Sequence, residues 1–399
     1  MIGSGHEMPR RPAMKTSVCR LLALGLPALL IAGCASVKPQ SAVTPSSSPG
    51  NKTDLLYELR STNLATVDDD HSTVASRLPI SRARLSDLKL LELPPRRSDQ
   101  LRIHVLPVGT GSCHVVECPG SNADPLLFDC GSRGGSQLSL YEARDYIQAV
   151  VGDRRPNVVV SHPDADHTNW VPRVIDPHQV RSLWIGDTYA NHSESFLAWT
   201  LAIQSSGRQD SSVYEELPEN WHNDRAPVRD LSCGVADTYV LGVNNGADTN
   251  SRSLMLSIQH GEFSVTFTGD ATFESESAAI TNFADSLRST VLLASHHGAS
   301  SEGSNHEEWI KQTHPNYVVY SAGSNAGYGH PRCDVVDRYR SLGALLPTDA
   351  HPVQCGLGRV WKSYDSLVSE YSTHSSGLIV ITTSGKLDDV TVHCGLGRC

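Results

Sequence analysis

The chain has 399 residues, 39% hydrophobic and 19% charged, a balance that suits a globular protein with room for one large domain or two ordinary ones. Its formal net charge of −10 argues against a sequence-independent grip on DNA or RNA through a basic surface, so no strong nucleic-acid-binding surface is expected. A small phosphorylated substrate held by metal stays compatible with that charge.

The first stretch reads as a targeting segment. Met14-Lys15 opens a basic patch with Arg20, and Leu21 to Leu30 follows as an apolar core too short to span a bilayer. Residues 1–13 precede a better start at Met14. Ile31-Ala32-Gly33-Cys34 is similar to the lipobox of bacterial lipoproteins, which implies a signal peptide over 1–33 and a lipid on Cys34. A plain signal peptide cut nearby, with Cys34 incidental, is the alternative. From residue 34 to 53 Ser, Pro, Thr and Gly dominate, the composition of a flexible tether. Residues 54–98 form an N-terminal extension in which Leu85, Leu88, Leu91 and Leu93 could lie on the main domain, and Pro94-Pro95-Arg96-Arg97 marks a boundary. Together these features predict an exported lipoprotein, membrane-attached through Cys34 and facing the periplasm or the cell exterior.

The main domain is placed at 99–399. Leu101–Val108 and Cys113–Cys118 read as strands around the turn Gly109-Thr110-Gly111-Ser112, and Leu126–Asp129 as a third strand ending in an acid. Ser139-Leu140-Tyr141-Glu142 is a capping-box signal for a helix with Leu140, Ala143, Ile147 and Val150 on one face. Asn157-Val158-Val159-Val160 is a short buried strand. Val180–Ile185 predicts a strand and Ser193–Gln204 a helix with Phe196, Leu197, Thr200 and Ile203 on one side, while the polar stretch 206–235 reads as a long surface excursion. Strands follow at Thr238–Val243, Arg252–His260, Glu262–Thr268, Val291–Ser295, Asn316–Tyr320, Gly377–Thr382 and Val390–His393. Cys19 leaves with the leader and Cys34 is the lipid candidate; the eight remaining cysteines permit disulfides in an exported protein. Cys113 and Cys118 flank a short strand, and Cys394 and Cys399 could close a small ring. The pentapeptide Cys-Gly-Leu-Gly-Arg occurs at 355–359 and again at 394–398.

The strand Asn157–Val160 runs into Ser161-His162-Pro163-Asp164-Ala165-Asp166-His167, two imidazoles and two carboxylates in one short turn. Left alone, such groups repel one another or bury charge, and a divalent cation is the natural neutraliser. Other strands end in similar chemistry: Asp129, Thr268-Gly269-Asp270, Ser295-His296-His297-Gly298, and the later turn Tyr328-Gly329-His330-Pro331.

In this order the motifs resemble the metallo-β-lactamase superfamily, and more closely the hydrolase domain of the ComEC-type competence proteins; the His-x-Asp-x-Asp-His pattern and the His-His pair are also shared with phosphorylcholine esterases. Val108-Gly109-Thr110-Gly111 and Phe128-Asp129-Cys130-Gly131 fit weakly at the front. The resemblance covers roughly residues 101–335. It implies an α+β fold, the four-layer αββα sandwich, with a metal site at one edge. It implies two divalent ions, zinc or manganese: one held by Asp166, His167 and His297, the other by His162, Asp164 and His296, with Asp270 bridging. Asp129 would orient ligands, and His330, with Asn325 and Tyr328 near the substrate, would hold the scissile group or protonate a leaving oxygen. Asp166, Asp270 and His330 are the catalytic candidates. The superfamily's more familiar signature has His where this chain has Asp164, and a separate His before the bridging Asp; His192, His222 and His260 exist, but none fits that place convincingly.

Two metals about 3.5–4 Å apart can share a hydroxide and clamp an in-line displacement. The expected activity is therefore cleavage of a phosphate ester or phosphodiester, of a small molecule or of nucleic acid, by a metal-bound hydroxide. The alternatives are the same fold acting on a lactone, thioester or other carbon ester, and a non-catalytic metal-binding lipoprotein. The oligomeric state is left open.

Overall fold

The computed structural model describes residues 93–208, 210–223, 226–323, 327–358, 360–396 and 399. The expected signal peptide, Cys34, the tether, the extension up to residue 92, and Asn325 lie outside the described residues.

Sixteen strands are described: β1 Leu101–Val105, β2 Cys113–Glu117, β3 Leu126–Cys130, β4 Asn157–Val160, β5 Ser182–Ile185, β6 Ser212–Tyr214, β7 Asp237–Gly242, β8 Met255–His260, β9 Phe263–Phe267, β10 Val291–Leu293, β11 Tyr317–Tyr320, β12 Pro347–Leu357, β13 Val360–Val368, β14 Glu370–Ser372, β15 Ile379–Thr383 and β16 Thr391–Cys394. They build an eight-stranded sheet in the order β16-β15-β1-β2-β3-β4-β5-β6 and a six-stranded sheet in the order β14-β11-β10-β9-β8-β7. β12 and β13 form a separate hairpin. The larger sheet is antiparallel from β16 to β3 and parallel from β3 to β6. The smaller sheet is antiparallel from β7 to β9 and parallel from β9 through β10 and β11 to β14.

Side-chain alternation sorts the core into three layers of contact. Between the sheets, Leu101, Ile103, Phe128 and Val159 meet Leu256, Val265, Phe267 and Val291. On the outer face of the larger sheet, Val158 and Val160 pack with Tyr146, Ile147, Phe196 and Trp199 of the helices Leu140–Val151 and Glu194–Ser205. On the outer face of the smaller sheet, Leu292, Val318 and Tyr320 pack with Ala279, Trp309 and Val336 of the helices Phe273–Phe283, Glu307–Thr313 and Cys333–Leu342. This is the four-layer α+β sandwich that the motifs led one to expect. The short runs Val158–Val160 and Val291–Leu293 are apolar throughout because parallel strands in such a sandwich are covered on both faces.

Several details differ from the sequence reading. The capping box at Ser139 and Glu142 is present, but the buried helix face is Ala143, Tyr146, Ile147 and Val151, with Leu140 and Val150 only partly buried. In the next helix Trp199 replaces Leu197 on the buried face, its indole N–H donating to Ile175 O at 3.0 Å. The stretch 206–235 is not a bare excursion. It contributes β6 at the sheet edge, buries Leu231, and stacks Trp221 and Tyr214 on Trp184. Arg96 is pinned rather than free, bonding to Cys118 O and pairing with Glu117 at 3.3 Å. Cys394–Cys399 closes the expected ring, while Cys113 pairs with Cys130 and Cys118 with Cys233; Cys333–Cys355 completes the set. Among the described residues no helix is long and apolar enough to cross a membrane.

Candidate metal centre

The site gathers at the C-terminal ends of the parallel strands, where open sheets of this kind leave a crevice. After β4, Asp164 caps a single helical turn, Ala165–Thr168, which carries Asp166 and His167 back over the strand end. Gly131 after β3 makes room for that turn, since a Cβ there would lie 2.5 Å from Ala165 O and 2.6 Å from His167 N. After β9, Gly269 adopts φ +55° and brings the chain so close to Ser161 that a Cβ would sit 2.6 Å from its Cβ. After β10, His296 and His297 are both left-handed, with φ 49° and 57°. That conformation costs an L-residue about 1–2 kcal/mol, and here it turns two consecutive imidazoles toward Asp270.

The resulting geometry is tight. His167 Nε2 lies 3.0 Å from Asp270 Oδ1 and 3.2 Å from His297 Nε2. His297 Nε2 is 3.5 Å from Asp270 Oδ1 and 3.8 Å from Asp166 Oδ2. On the other carboxylate oxygen, Asp270 Oδ2 is 3.5 Å from His296 Nε2 and 3.8 Å from His162 Nε2. Two overlapping groups could each hold an ion: His162, His167 and Asp270, and Asp166, His167 and His297, all buried.

The imidazoles are oriented from behind. Asp129, fully buried with φ 53°, accepts the Ser161 N–H through Oδ1 at 2.7 Å. Its Oδ2 accepts the Ser161 hydroxyl at 2.7 Å and the His167 Nδ1–H at 2.8 Å. With its proton committed there, Ser161 Oγ accepts from His162 Nδ1 at 2.9 Å. His297 donates its Nδ1–H to Ser321 O at 2.8 Å. All three rings thus keep a proton on Nδ1 and turn Nε2 inward, the arrangement in which partners behind a histidine fix its ligating nitrogen.

The inward atoms ask for positive charge. His162 Nε2, Asp166 Oδ1 and Asp270 Oδ1 are buried without a hydrogen bond of good geometry. Burial alone would lower the His167 pKa, yet the carboxylates of Asp270 and Asp129 hold it well above its usual value. Burial would raise Asp270, but His167, His297 and His296 hold it well below the ordinary carboxylate range. Burial and the neighbouring His167 push His162 down to about 4, which keeps it neutral and able to ligate. Mixed imidazole and carboxylate donors, converging, buried and unsatisfied, fit a divalent cation.

Not every expected residue joins the cluster. Asp164 turns outward, its side chain 38% exposed and paired with Arg133 Nη2 at 3.0 Å, and it belongs to neither group. His330 stands beside the cluster, its ring centre 5.6 Å from that of His296 and 6.4 Å from that of His297; burial and those two histidines push its pKa down to about 3. Tyr328, half exposed, is 5.9 Å ring to ring from His330. His192 stacks on Phe196 and His260 bonds to Asp99 O, so neither supplies the separate histidine of the familiar signature; His222 faces Phe283. Sequence reasoning missed Arg133, which also pairs with Asp166 at 3.3 Å, and missed Ser161 and Ser253, whose hydroxyl accepts the Asp270 N–H at 3.1 Å. An arginine inside the glycine-rich loop after an acid-ended strand was the available signal for the first.

The chain is similar to several known proteins. The family model described as the metallo-beta-lactamase superfamily matches residues 106–310. ComE operon protein 3 of Bacillus subtilis is 27% identical over 297 residues, 71% of this chain and 36% of that protein. Competence protein ComA of Neisseria gonorrhoeae is 26% identical over 237 residues, 59% of this chain and 29% of that protein. The chain thus spans about a third of the length of these curated relatives. Among solved structures, the metallo-beta-lactamase fold protein YhfI of Bacillus subtilis aligns over 71% of this chain and 100% of its own, with 12% identity and a TM-score of 0.41.

Proposed function

The chain belongs to the metallo-β-lactamase superfamily, and from that membership we propose that it is a metal-dependent hydrolase of phosphate esters or phosphodiesters. The observation that carries the reading is Asp270. One of its oxygens faces His167 and His297, the other His162 and His296, so a single buried carboxylate addresses two adjacent ligand groups. That placement supports a reading in which Asp270 would serve two ions at once.

The two candidate triads share His167, so a pair of ions would divide the cluster along Asp270: Asp166, His167 and His297 would hold one, and His162 with His296 the other. Zinc or manganese in these groups would supply Lewis acidity, polarising a phosphoryl oxygen and bringing the pKa of water towards about 7. The chain's own residues do the rest. Asp129 and Ser161 keep His162 and His167 in the ligating tautomer. His330, neutral at pH 7, offers an N–H to the ester oxygen that leaves, acting as a hydrogen-bond donor rather than as a strong acid. In the reaction a water oxygen would bond to phosphorus, the phosphorus–oxygen ester bond would break, and the departing oxygen would take up the proton that the water gives up.

The setting belongs to the same proposal. All eight cysteines from Cys113 onward are paired, which suits an exported protein, and the segment ending at Cys34 supplies a leader and a lipid attachment to a membrane. The test is purified protein, depleted with EDTA and refilled with Mn(II) or Zn(II), on bis-p-nitrophenyl phosphate, DNA, p-nitrophenyl acetate and nitrocefin. Metal-dependent release of p-nitrophenol from the diester is expected. Metal-loaded protein that leaves the diester and DNA intact, or that works faster on the carbon esters, overturns the reading.

A further inference from the structure

The donors around Asp270 fall into two unequal halves. On the Oδ1 side, His167 and His297 lie 3.0 and 3.5 Å from the oxygen and 3.2 Å from each other, with Asp166 Oδ2 3.8 Å from His297. The ligands of a tetrahedral zinc ion stand about 3.3 Å apart, given bonds of about 2.0–2.1 Å to the metal. Four buried protein atoms near that spacing make a closed shell. On the Oδ2 side, among the described residues, stand only His296 at 3.5 Å and His162 at 3.8 Å.

The halves also differ in how their imidazoles are held. His162, His167 and His297 each have a partner behind Nδ1. His296 Nδ1 is buried and makes no hydrogen bond of good geometry among the described residues, and its side chain is 16% exposed against 6% for His297. A histidine without that partner ligates more weakly.

Asp164 is the carboxylate that the family resemblance assigns to this poorer side, and Arg133 keeps it away. Asp164 stands at the N-cap of the turn Ala165–Thr168, yet its side chain makes no capping hydrogen bond. An aspartate there normally gains about 1 kcal/mol by accepting a backbone N–H. Instead its Oδ2 meets Arg133 Nη2 at 3.0 Å, while Arg133 Nε meets Asp166 at 3.3 Å, so one guanidinium spans both acids of the turn. The arginine loop is clamped to that turn. Ser132 N–H donates to Asn169 Oδ1 at 3.0 Å, Asn169 Nδ2 donates to Ser132 O at 2.8 Å, and Arg133 N–H donates to Thr110 O at 2.7 Å. With loop and turn locked together, holding the pair costs less of the side-chain entropy that makes exposed ion pairs weak.

We infer that Arg133 is a positioning residue that holds Asp164 off the metal centre, so that the Oδ1 side takes a tightly held ion in a closed shell of four protein atoms, while the Oδ2 side takes a second, more exchangeable ion with three and keeps one position open to substrate. This rests on the two-ion reading of the site and goes beyond it by dividing the labour between the ions. Closed four-ligand shells hold structural ions, whereas three protein ligands and an open place mark the reactive one. The open side is also the side of His330, whose ring centre is 5.6 Å from that of His296.

The test reads metal binding with no substrate present. Metal-depleted protein is titrated with Zn(II) against a chromophoric chelator. Wild type should bind two ions in two steps, the first at least roughly tenfold tighter. His296→Ala should abolish the second step and keep the first. Arg133→Ala, and Arg133→Gln with its uncharged stem, should tighten the second step roughly tenfold by freeing Asp164, and Asp164→Asn added to either should cancel that gain. A gain in affinity does not come from damage to the fold, and circular dichroism of each variant should match wild type. Two ions bound with equal affinity, a single step, a gain shared equally by both steps, or no gain at all overturns the inference. Hydrolysis of bis-p-nitrophenyl phosphate is followed on the same samples. Two-step binding without cleavage refutes the phosphoesterase reading alone, and cleavage by a protein that binds both ions equally refutes the inference alone.

Discussion

Asp129→Asn changes one atom in a carboxylate that organises three donors: Ser161 N–H, the Ser161 hydroxyl, and His167 Nδ1–H, at 2.7, 2.7 and 2.8 Å. The amide oxygen can keep the Ser161 N–H. The new NH2 then faces a hydroxyl and an imidazole nitrogen. The hydroxyl can rotate to accept, but His167 must answer by moving its proton to Nε2. That puts the neutral ring's proton on the nitrogen a metal would need, and the substitution loses one charge-assisted hydrogen bond worth about 1.5–3 kcal/mol. Ser161 Oγ, once it accepts from the amide, also holds His162 less firmly. Metal affinity should fall about 10–100-fold, the usual cost of losing the partner behind a histidine ligand. Competition for Zn(II) with a chromophoric chelator measures this directly, and urea unfolding in EDTA measures the stability term. A variant that retains zinc within about twofold of wild-type affinity would refute the assigned tautomer and the role given to Asp129.

Four further outcomes follow from the same geometry. Asp164→Asn should leave metal stoichiometry unchanged, because Asp164 pairs with Arg133 outside both groups, whereas Asp270→Asn should cost bound metal; equilibrium dialysis distinguishes them. Gly131→Ala would place a Cβ 2.5 Å from Ala165 O and force the two loops apart by about 1 Å, enough to lower turnover about 10²-fold while the fold survives in circular dichroism. His114 is buried between Phe128 and Phe267, and among the described residues neither ring nitrogen makes a hydrogen bond of good geometry; burial pushes it down to about 4, with Asp129 opposing and His167 and His297 adding to the effect. Because its folded pKa is below its unfolded value of 6.5, the unfolded chain gains the proton first, and about 3 kcal/mol of stability should drain away as pH falls from 6.5 to about 4; urea titrations of His114→Gln should lack that share of the slope. Replacing Cys118 and Cys233 by Ser should destabilise by about 4–5 kcal/mol, since their bridge closes a separation of 115 residues; an unchanged melting temperature would contradict this.

What could be seen in the sequence was chemistry packed into short windows. His162 to His167 lie in one turn, Asp270 follows a glycine after an alternating strand, and His296-His297 close an apolar run, so each announced itself locally. What escaped were relations that only tertiary contact creates. Arg133 reads as one charge among glycines until the turn after β4 folds over it and diverts Asp164 from the cluster. Ser161 looks like a strand-end hydroxyl until Asp129, from the neighbouring parallel strand, accepts from both its N–H and its hydroxyl. The polar stretch 206–235 hid a sheet strand because its anchors, Trp221 and Cys233, find their partners Trp184 and Cys118 far away in the chain. The β12–β13 hairpin escaped because its strands, Pro347–Leu357 and Val360–Val368, are mostly polar and partly exposed and lack the apolar alternation by which strands are recognised.

His162, Asp166 and His167 hang from the larger sheet, and Asp270, His296 and His297 from the smaller one. An ion shared among them would therefore be a clasp across the seam of the sandwich. Occupancy at 100 times the dissociation constant would add about 2.7 kcal/mol to the folded state. Conversely, anything that pries the halves apart must first surrender the ion. The same event would then end any metal-dependent activity and expose the interior, so partial opening would leave no active remnant.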